Sequence, residues 1–105
     1  IALVVPHHDA FELKSVAIAP ERQGQGIGQQ MLAFVIDDLR RKGVARVVVG
    51  TGNSSIGQIA FYQKAGFRLW RIERDFFSPE RGYPEGLSEN GIALRDMVWF
   101  DRLLA

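Results

Sequence analysis

The stretch Val16-Ala17-Ile18-Ala19-Pro20-Glu21-Arg22-Gln23-Gly24-Gln25-Gly26-Ile27-Gly28 decides the fold. A strand pattern ends at Pro20, and a polar, glycine-rich segment then leads directly into a helical pattern. Backbone N–H groups in the first turn of a helix lack intrahelical partners and carry partial positive charge, so they bind anions. Glycine lets a phosphate oxygen approach the backbone because no Cβ stands in the way. The stretch therefore predicts a strand, a pyrophosphate-binding loop and a helix.

The glycine spacing bears on which phosphate ligand the loop takes. A Walker loop is excluded because no Gly-Lys-Ser/Thr follows. A dinucleotide site would need the G-x-G-x-x-G spacing, whereas Gly24, Gly26 and Gly28 alternate, and Val47–Gly50 stands where an acidic residue is expected. Glycines also form tight turns. On these residues alone, a pyrophosphate cradle and a plain turn both stay open.

Apolar patterns on both sides of the loop predict an α/β chain with a mixed sheet and two helices. The first helix has apolar residues at i, i+4 spacing, namely Ile27, Met31, Val35 and Leu39, widened by Leu32 and Ile36. Ser55 and Gln58 have the spacing of a capping box that starts the second helix. The expected elements are strands over 1–5 and 11–18, a helix from 27 to 43, a strand over 44–49, a helix over 55–65, strands over 67–77 and 92–104, and a long loop over 78–90.

Composition limits the function classes. The 105 residues (11.8 kDa) make one small domain over 1–105, and 47% hydrophobic with 24% charged residues is typical of a folded domain. Thirteen Lys and Arg against twelve Asp and Glu argue against a nucleic-acid partner, which would need a basic excess. The absence of cysteine excludes disulfides, thiolate zinc sites and a cysteine nucleophile.

Hydropathy predicts neither a membrane partner nor a secretory leader. No apolar run approaches the roughly 20 residues that span a bilayer. Ile1–Val5 is shorter than a signal-peptide core, and His7, His8 and Asp9 follow where a cleavage site would stand. We therefore expect a cytoplasmic protein whose natural start lies upstream of Ile1, because Ile1 is not a methionine.

A second motif gives the glycine loop a context. The segment 23–28, Gln-Gly-Gln-Gly-Ile-Gly, matches Q/R-x-x-G-x-G/A at every fixed position, and Asn53 precedes Ala60-Phe61-Tyr62-Gln63-Lys64-Ala65-Gly66-Phe67. In these two motifs, their order and their separation, the chain resembles the GNAT superfamily of N-acetyltransferases from about residue 11 to 77. The resemblance implies a mixed, mostly antiparallel sheet, and acetyl-CoA as cosubstrate with no metal.

The resemblance also implies roles for individual residues. The coenzyme A contacts would be the backbone of Val16, Ala17 and Ile18 for pantetheine, the loop Gln23, Gly24, Gln25, Gly26, Ile27 and Gly28 for the pyrophosphate, and Asn53 for the pantetheine arm. Tyr62 would stand near the sulfur as general acid, and Glu12 would be the general base. Other members carry the base on the next strand, but Val48 stands there.

The chemistry of these roles is acetyl transfer to an amine. A carboxylate takes the amine proton, a strand N–H stabilises the tetrahedral oxyanion, and a phenol protonates the departing thiolate. The alternatives to these catalytic roles are a structural Tyr62 and a solvated Glu12. His7 and His8 could suggest a metal site or a base, and the alternative is that they are surface residues of a hairpin turn. The expected acceptor is an amine of a small molecule, protein or peptide. The rival function is a non-catalytic acyl-CoA-binding module, or half of an assembly.

One part of the family pattern is missing. Members usually begin with a strand, two helices and a second strand, so the chain resembles the C-terminal two thirds of the fold. The strand over 1–5 would then have an unpaired edge, which promotes association. An upstream segment or a second copy would cover it. We expect a homodimer with the 78–90 loop and the last strand at its contact, and Tyr83 and Glu85 lining the acceptor pocket.

Overall fold

A computed structural model describes residues 2–7, 10–16 and 27–104. Within these ranges the chain alternates strands and helices in the order that the sequence predicts up to residue 73. The elements are β1 (Ala2–His7), β2 (Ala10–Val16), α1 (Ile27–Arg41), β3 (Arg46–Gly52), α2 (Ile56–Lys64), β4 (Arg68–Glu73), a 3₁₀ turn (Pro79–Arg81), β5 (Ser88–Glu89), β6 (Ile92–Ala93) and β7 (Met97–Leu103).

Five of these strands form one mixed sheet with the hydrogen-bonded order β1-β2-β3-β7-β4. β1 and β2 are antiparallel, whereas β2 and β3 are parallel, with Glu12 opposite Val48. β3 and β7 run antiparallel, since Leu104 N–H donates to Ala45 O (2.8 Å) and Asn53 N–H donates to Asp96 O (2.9 Å). This mixed sheet with two helices confirms the predicted fold class.

The chain divides into two compact units, one of residues 1–49 with 101–105 and one of residues 50–100. The prediction of a single domain over 1–105 stays a prediction. In the first unit, the buried side of α1 is centred on Leu32, Ile36 and Leu39. Met31 and Val35 only flank this stripe. Val47–Val49 of β3 are all buried, so both faces of this strand are covered, as its unbroken apolar run predicts.

The second unit has an aromatic core made by Tyr62, Phe67, Trp99 and Phe100. α2 ends as predicted, with Gly66 at a left-handed φ of 91°. Its predicted capping box is wrong. The N-cap residue Ser55 makes no side-chain capping bond, because its hydroxyl donates to a carboxylate 34 residues away.

The predicted strand over 92–104 is interrupted. Ile92 and Ala93 pair with Ser88 and Glu89 in a short hairpin, and β7 begins only at Met97. Asn90 and Gly91 both have positive φ (57° and 73°), which suits the tight turn of a two-residue hairpin. The 78–90 loop therefore contains local structure that its Pro and Gly content concealed.

Strand order also bears on the expected dimer contact. β7 lies between β3 and β4, so neither of its backbone edges is available to a second copy. β1 and β4 are the outer strands of the sheet, as expected for the first strand. His7 is the last residue of β1 and not part of the turn, and His8 lies outside the described residues. The dimer itself stays a prediction.

Among the described helices, none is long and apolar enough to cross a bilayer.

Candidate active site

The N-terminus of α1 lies within the 23–28 motif, because the helix begins at Ile27. Its first turn contains Gly28 and no acidic residue, and its last turn carries Arg40 and Arg41. Both features suit an anion at the N-terminus, since the helix dipole favours negative charge there and positive charge at the other end. Val16 ends β2, opposite Ala2. The other loop candidates lie outside the described residues, namely Ala17, Ile18, Gln23, Gly24, Gln25 and Gly26.

Glu12 is a buried carboxylate in β2. Only 7% of its surface is exposed, and it lies opposite Val48, which is fully buried, in the parallel pair with β3. The alternative of a solvated surface charge is therefore wrong. A carboxylate is costly to bury unless polar partners hold it, and the role of Glu12 as general base stays a prediction.

Tyr62 of α2 is a buried phenol in the second unit, with 6% of its surface exposed. Its ring packs edge-on against Phe61 and Phe67, with centroids at 5.4 and 5.8 Å, and lies 5.7 Å from Phe100. Burial raises the pKa of the Tyr62 hydroxyl, so the phenol keeps its proton at neutral pH. A protonated phenol can give a proton to a thiolate.

Burial of Tyr62 makes stability depend on pH. Because the folded-state pKa lies above the ordinary value of about 10, the unfolded chain loses the phenol proton first as pH rises. This contribution to stability is fully present below about pH 10 and is lost as pH rises toward the folded-state pKa. We expect the free energy of unfolding, from urea denaturation, to fall more steeply above about pH 10 for the wild type than for Tyr62→Phe. Tyr83 is common to both proteins, so equal slopes would contradict this expectation.

Asn53 follows β3 and faces residues 93–96. Its Oδ1 accepts the N–H groups of Arg95 (2.8 Å) and Asp96 (3.0 Å), and its Nδ2 donates to Ala93 O (3.0 Å). One amide hydrogen is left after these three bonds. A contact between Asn53 and pantetheine therefore stays a prediction. Sequence reasoning missed the anchoring role, because the partners lie about 40 residues further along the chain.

Tyr83 packs within an aromatic cluster that the sequence did not predict. Its ring lies 5.0 Å from Phe77 and 6.1 Å from Phe76. The cluster is half-buried, whereas Glu85 is exposed. A role for either residue in acceptor binding stays a prediction.

A polar network holds the base of the 78–90 loop. Trp99 Nε1–H donates to Glu73 Oε1 and Arg81 donates to Glu73 Oε2, both at 3.1 Å, while the Arg81 guanidinium lies 4.7 Å from the Phe76 ring centroid. The bond from Trp99, and then Arg81, lowers the pKa of Glu73 and keeps it ionised. This network fixes the 3₁₀ turn to β4. Over the described residues, no group of three or more His, Asp or Glu side chains has the arrangement of a metal site.

The candidate residues fall in both units. Glu12 and the first turn of α1 belong to residues 1–49, whereas Asn53 and Tyr62 belong to residues 50–100. Residues 1–67 match a family model described as the acetyltransferase (GNAT) family. The chain belongs to the GNAT acetyltransferase family.

Individual relatives of this GNAT chain are also N-acetyltransferases by name. It is 42% identical over 87 residues to an uncharacterized N-acetyltransferase of Bacillus subtilis, YvbK, covering 83% of the chain and 55% of the relative. It is 30% identical over 79 residues to the ribosomal protein bS18-alanine N-acetyltransferase of Escherichia coli, covering 75% and 53%. The chain thus spans about half the length of these relatives.

The chain also resembles a solved GNAT structure that contains coenzyme A. A Bacillus subtilis acetyltransferase in complex with CoA superposes with a TM-score of 0.91 at 36% identity, over 99% of this chain and 68% of the other. Family and fold class are thereby confirmed for the GNAT chain. The roles of its individual site residues stay predictions.

Proposed function

We propose that this GNAT chain supports acetyl transfer from acetyl-CoA to an amine, as part of an N-acetyltransferase. The observation that carries the proposal is its likeness, over 99% of its length, to an acetyltransferase in complex with CoA. We assign the role of general base to the buried Glu12 and the role of general acid to the buried, protonated Tyr62. We further propose a homodimer and a cytoplasmic location.

The reaction requires a neutral amine. A lysine-like amine has a pKa of about 10.4, roughly three pH units above neutrality, so almost all of it is protonated. We assign the removal of this proton to the Glu12 carboxylate, directly or through a water. The nitrogen lone pair then attacks the thioester carbonyl carbon, and a backbone N–H of residues 16–18 stabilises the oxyanion. As the carbon–sulfur bond breaks, Tyr62 gives its proton to the thiolate, and the second proton, which the nitrogen loses as the amide forms, restores the phenol.

Pyrophosphate binding belongs to the loop 23–28 and the first turn of α1. The positive end of the helix dipole and the absence of acidic side chains in that turn favour the anion. The acceptor is an amine of a small molecule or of a protein. A relative named for acetylating an alanine of a ribosomal protein supports the protein class.

The activity assay uses thiol release from acetyl-CoA in the presence of small amines and of peptides with a free N-terminal alanine. Release that depends on the amine supports the proposal. Tight acetyl-CoA binding with no release for any amine would instead indicate a non-catalytic acyl-CoA-binding module. The assay uses the full natural chain, because the relatives are about twice as long as the matched segment.

Gly26→Val tests the pyrophosphate site. A branched side chain blocks backbone approach and strands polar groups, so we expect CoA affinity to fall by at least about 1–3 kcal/mol, measured by calorimetry. Gly57→Val is the matched control, because a Cβ at this exposed glycine of α2 meets no atom within 4 Å. Unchanged affinity for Gly26→Val would remove the loop from the binding site.

A further inference from the structure

Three consecutive residues between β3 and α2 are each bonded to the segment 89–96. Besides the three side-chain bonds of Asn53, Ser54 O accepts from Asn90 Nδ2 (2.8 Å), and Ser55 Oγ donates to Glu89 Oε1 (2.8 Å). We call this set of contacts, between residues 53–55 and residues 89–96, the polar clamp. Its partners lie 34 to 43 residues apart in sequence, so the clamp is a tertiary feature and not a local turn.

The clamp replaces the usual start of a helix. Ser55 has the N-cap position of α2, yet its hydroxyl bonds Glu89 and no side chain caps the first turn. A missing cap of this type weakens a helix terminus. The start of α2 is therefore held by contacts with residues 89–96.

Packing supports the same conclusion. A Cβ at Gly52, the residue before the clamp, would overlap Leu94 Cδ1. The Leu94 side chain therefore lies directly against the backbone at the end of β3. Leu94 N–H in turn bonds Leu87 O at 2.9 Å, which fixes the segment to the hairpin. Packing of the Leu94 side chain against Gly52 thus accompanies the hydrogen bonds of the clamp.

Tyr62 is on the helix that the clamp starts. It lies six residues after Ile56, about 9 Å along the axis of a nine-residue helix. Because this short helix carries Tyr62, a displaced helix start would move the Tyr62 ring relative to Phe67 and Phe100 and change where its hydroxyl points. Misplacing a reacting group by about 1 Å can cost about 100-fold in rate.

We propose that the polar clamp positions Tyr62 for proton transfer and that Asn53 is its central positioning residue. The proposal rests on the proposed acetyltransferase function. It gives Asn53 a task different from the pantetheine contact, and the two tasks have different kinetic signatures. Loss of a pantetheine contact weakens CoA binding, whereas loss of positioning lowers kcat and leaves CoA binding intact.

The test combines clamp variants with Tyr62→Phe in the full natural chain. Asn53→Ala and Ser55→Ala are each made alone and together with Tyr62→Phe, and kcat and the Kd of CoA are measured. Ser55→Ala removes one hydrogen bond between partly exposed groups, so it stays folded even where Asn53→Ala does not. Gln58→Ala, at an exposed position of α2, is the matched control.

We expect Asn53→Ala to lower kcat by about 10- to 100-fold, and Ser55→Ala to lower it by a smaller factor. The Kd of CoA should stay within about twofold, and neither variant should lower kcat further once Tyr62 is Phe, because interacting residues are not additive. Glu89→Gln, which keeps an acceptor oxygen for Ser55, should retain more activity than Ser55→Ala.

Three outcomes overturn the clamp proposal alone. The first is an equal loss of kcat with and without Tyr62→Phe, and the second is a rise in the Kd of CoA that accounts for the loss of activity. The third is an unchanged kcat in both clamp variants. A wild-type protein that releases no thiol, or a Tyr62→Phe variant with full kcat, overturns the proposed chemistry itself, so the two failures are distinguishable.

Discussion

We expect Tyr62→Phe to lower kcat by about 10²–10⁴-fold, the usual contribution of a general acid. The substitution removes only the hydroxyl, because the phenylalanine ring keeps the contacts with Phe61, Phe67 and Phe100. The thiolate then has no phenol to protonate it as the carbon–sulfur bond breaks. The interaction is lost in the transition state only, so the Kd of CoA stays near the wild-type value.

The measurement is steady-state kcat at saturating acetyl-CoA, with a rapid-mixing experiment that separates chemistry from product release. Circular dichroism and the Kd of CoA serve as internal controls for fold and binding. A kcat within about twofold of the wild type, with chemistry rate-limiting, would make Tyr62 a structural residue.

We expect Glu12→Gln to lower kcat/KM by about 10²–10⁴-fold near neutral pH, through loss of a general base. Glutamine has nearly the same shape, so the buried position in β2 stays filled. The acceptor amine must then lose its proton to bulk water. The decrease in activity toward acidic pH, which reports protonation of the catalytic carboxylate, should be absent from the variant.

The pH profile makes this prediction specific. As pH rises toward the amine pKa of about 10.4, more acceptor is already neutral, so the deficit of Glu12→Gln should shrink. Glu80→Gln is the matched control, because Glu80 is an exposed carboxylate on the 3₁₀ turn. A retained acidic limb in Glu12→Gln would indicate another base, and a deficit that is constant with pH would exclude proton removal as its role.

Local patterns in the sequence were sufficient to predict the framework. The unbroken apolar run at Val47–Val49 predicted a strand covered on both faces. Gly43 and Gly66 predicted the C-terminal ends of α1 and α2, where the structure has φ of 82° and 91°. Helix termini and apolar runs depend on interactions within a few residues, which is why the sequence determines them directly. The two family motifs were likewise sufficient to indicate the GNAT family, which the comparisons confirm.

Contacts between distant residues decided the rest. Alternation placed Glu12 on one face of a strand, but its burial depends on the parallel pairing of β2 with β3 beside Val48. Ser55 and Gln58 had the spacing of a capping box, but Glu89 offered the Ser55 hydroxyl a charged acceptor 34 residues away.

The same reason explains the last strand. Its apolar content predicted one continuous strand over 92–104, whereas Asn53 accepts the N–H groups of Arg95 and Asp96 and interrupts it. The sequence by itself determined the family, the helices and the buried strand, because these depend on neighbouring residues. The tertiary structure alone decided the burial of Glu12, the polar clamp and the inner position of β7, because each depends on which distant segments meet.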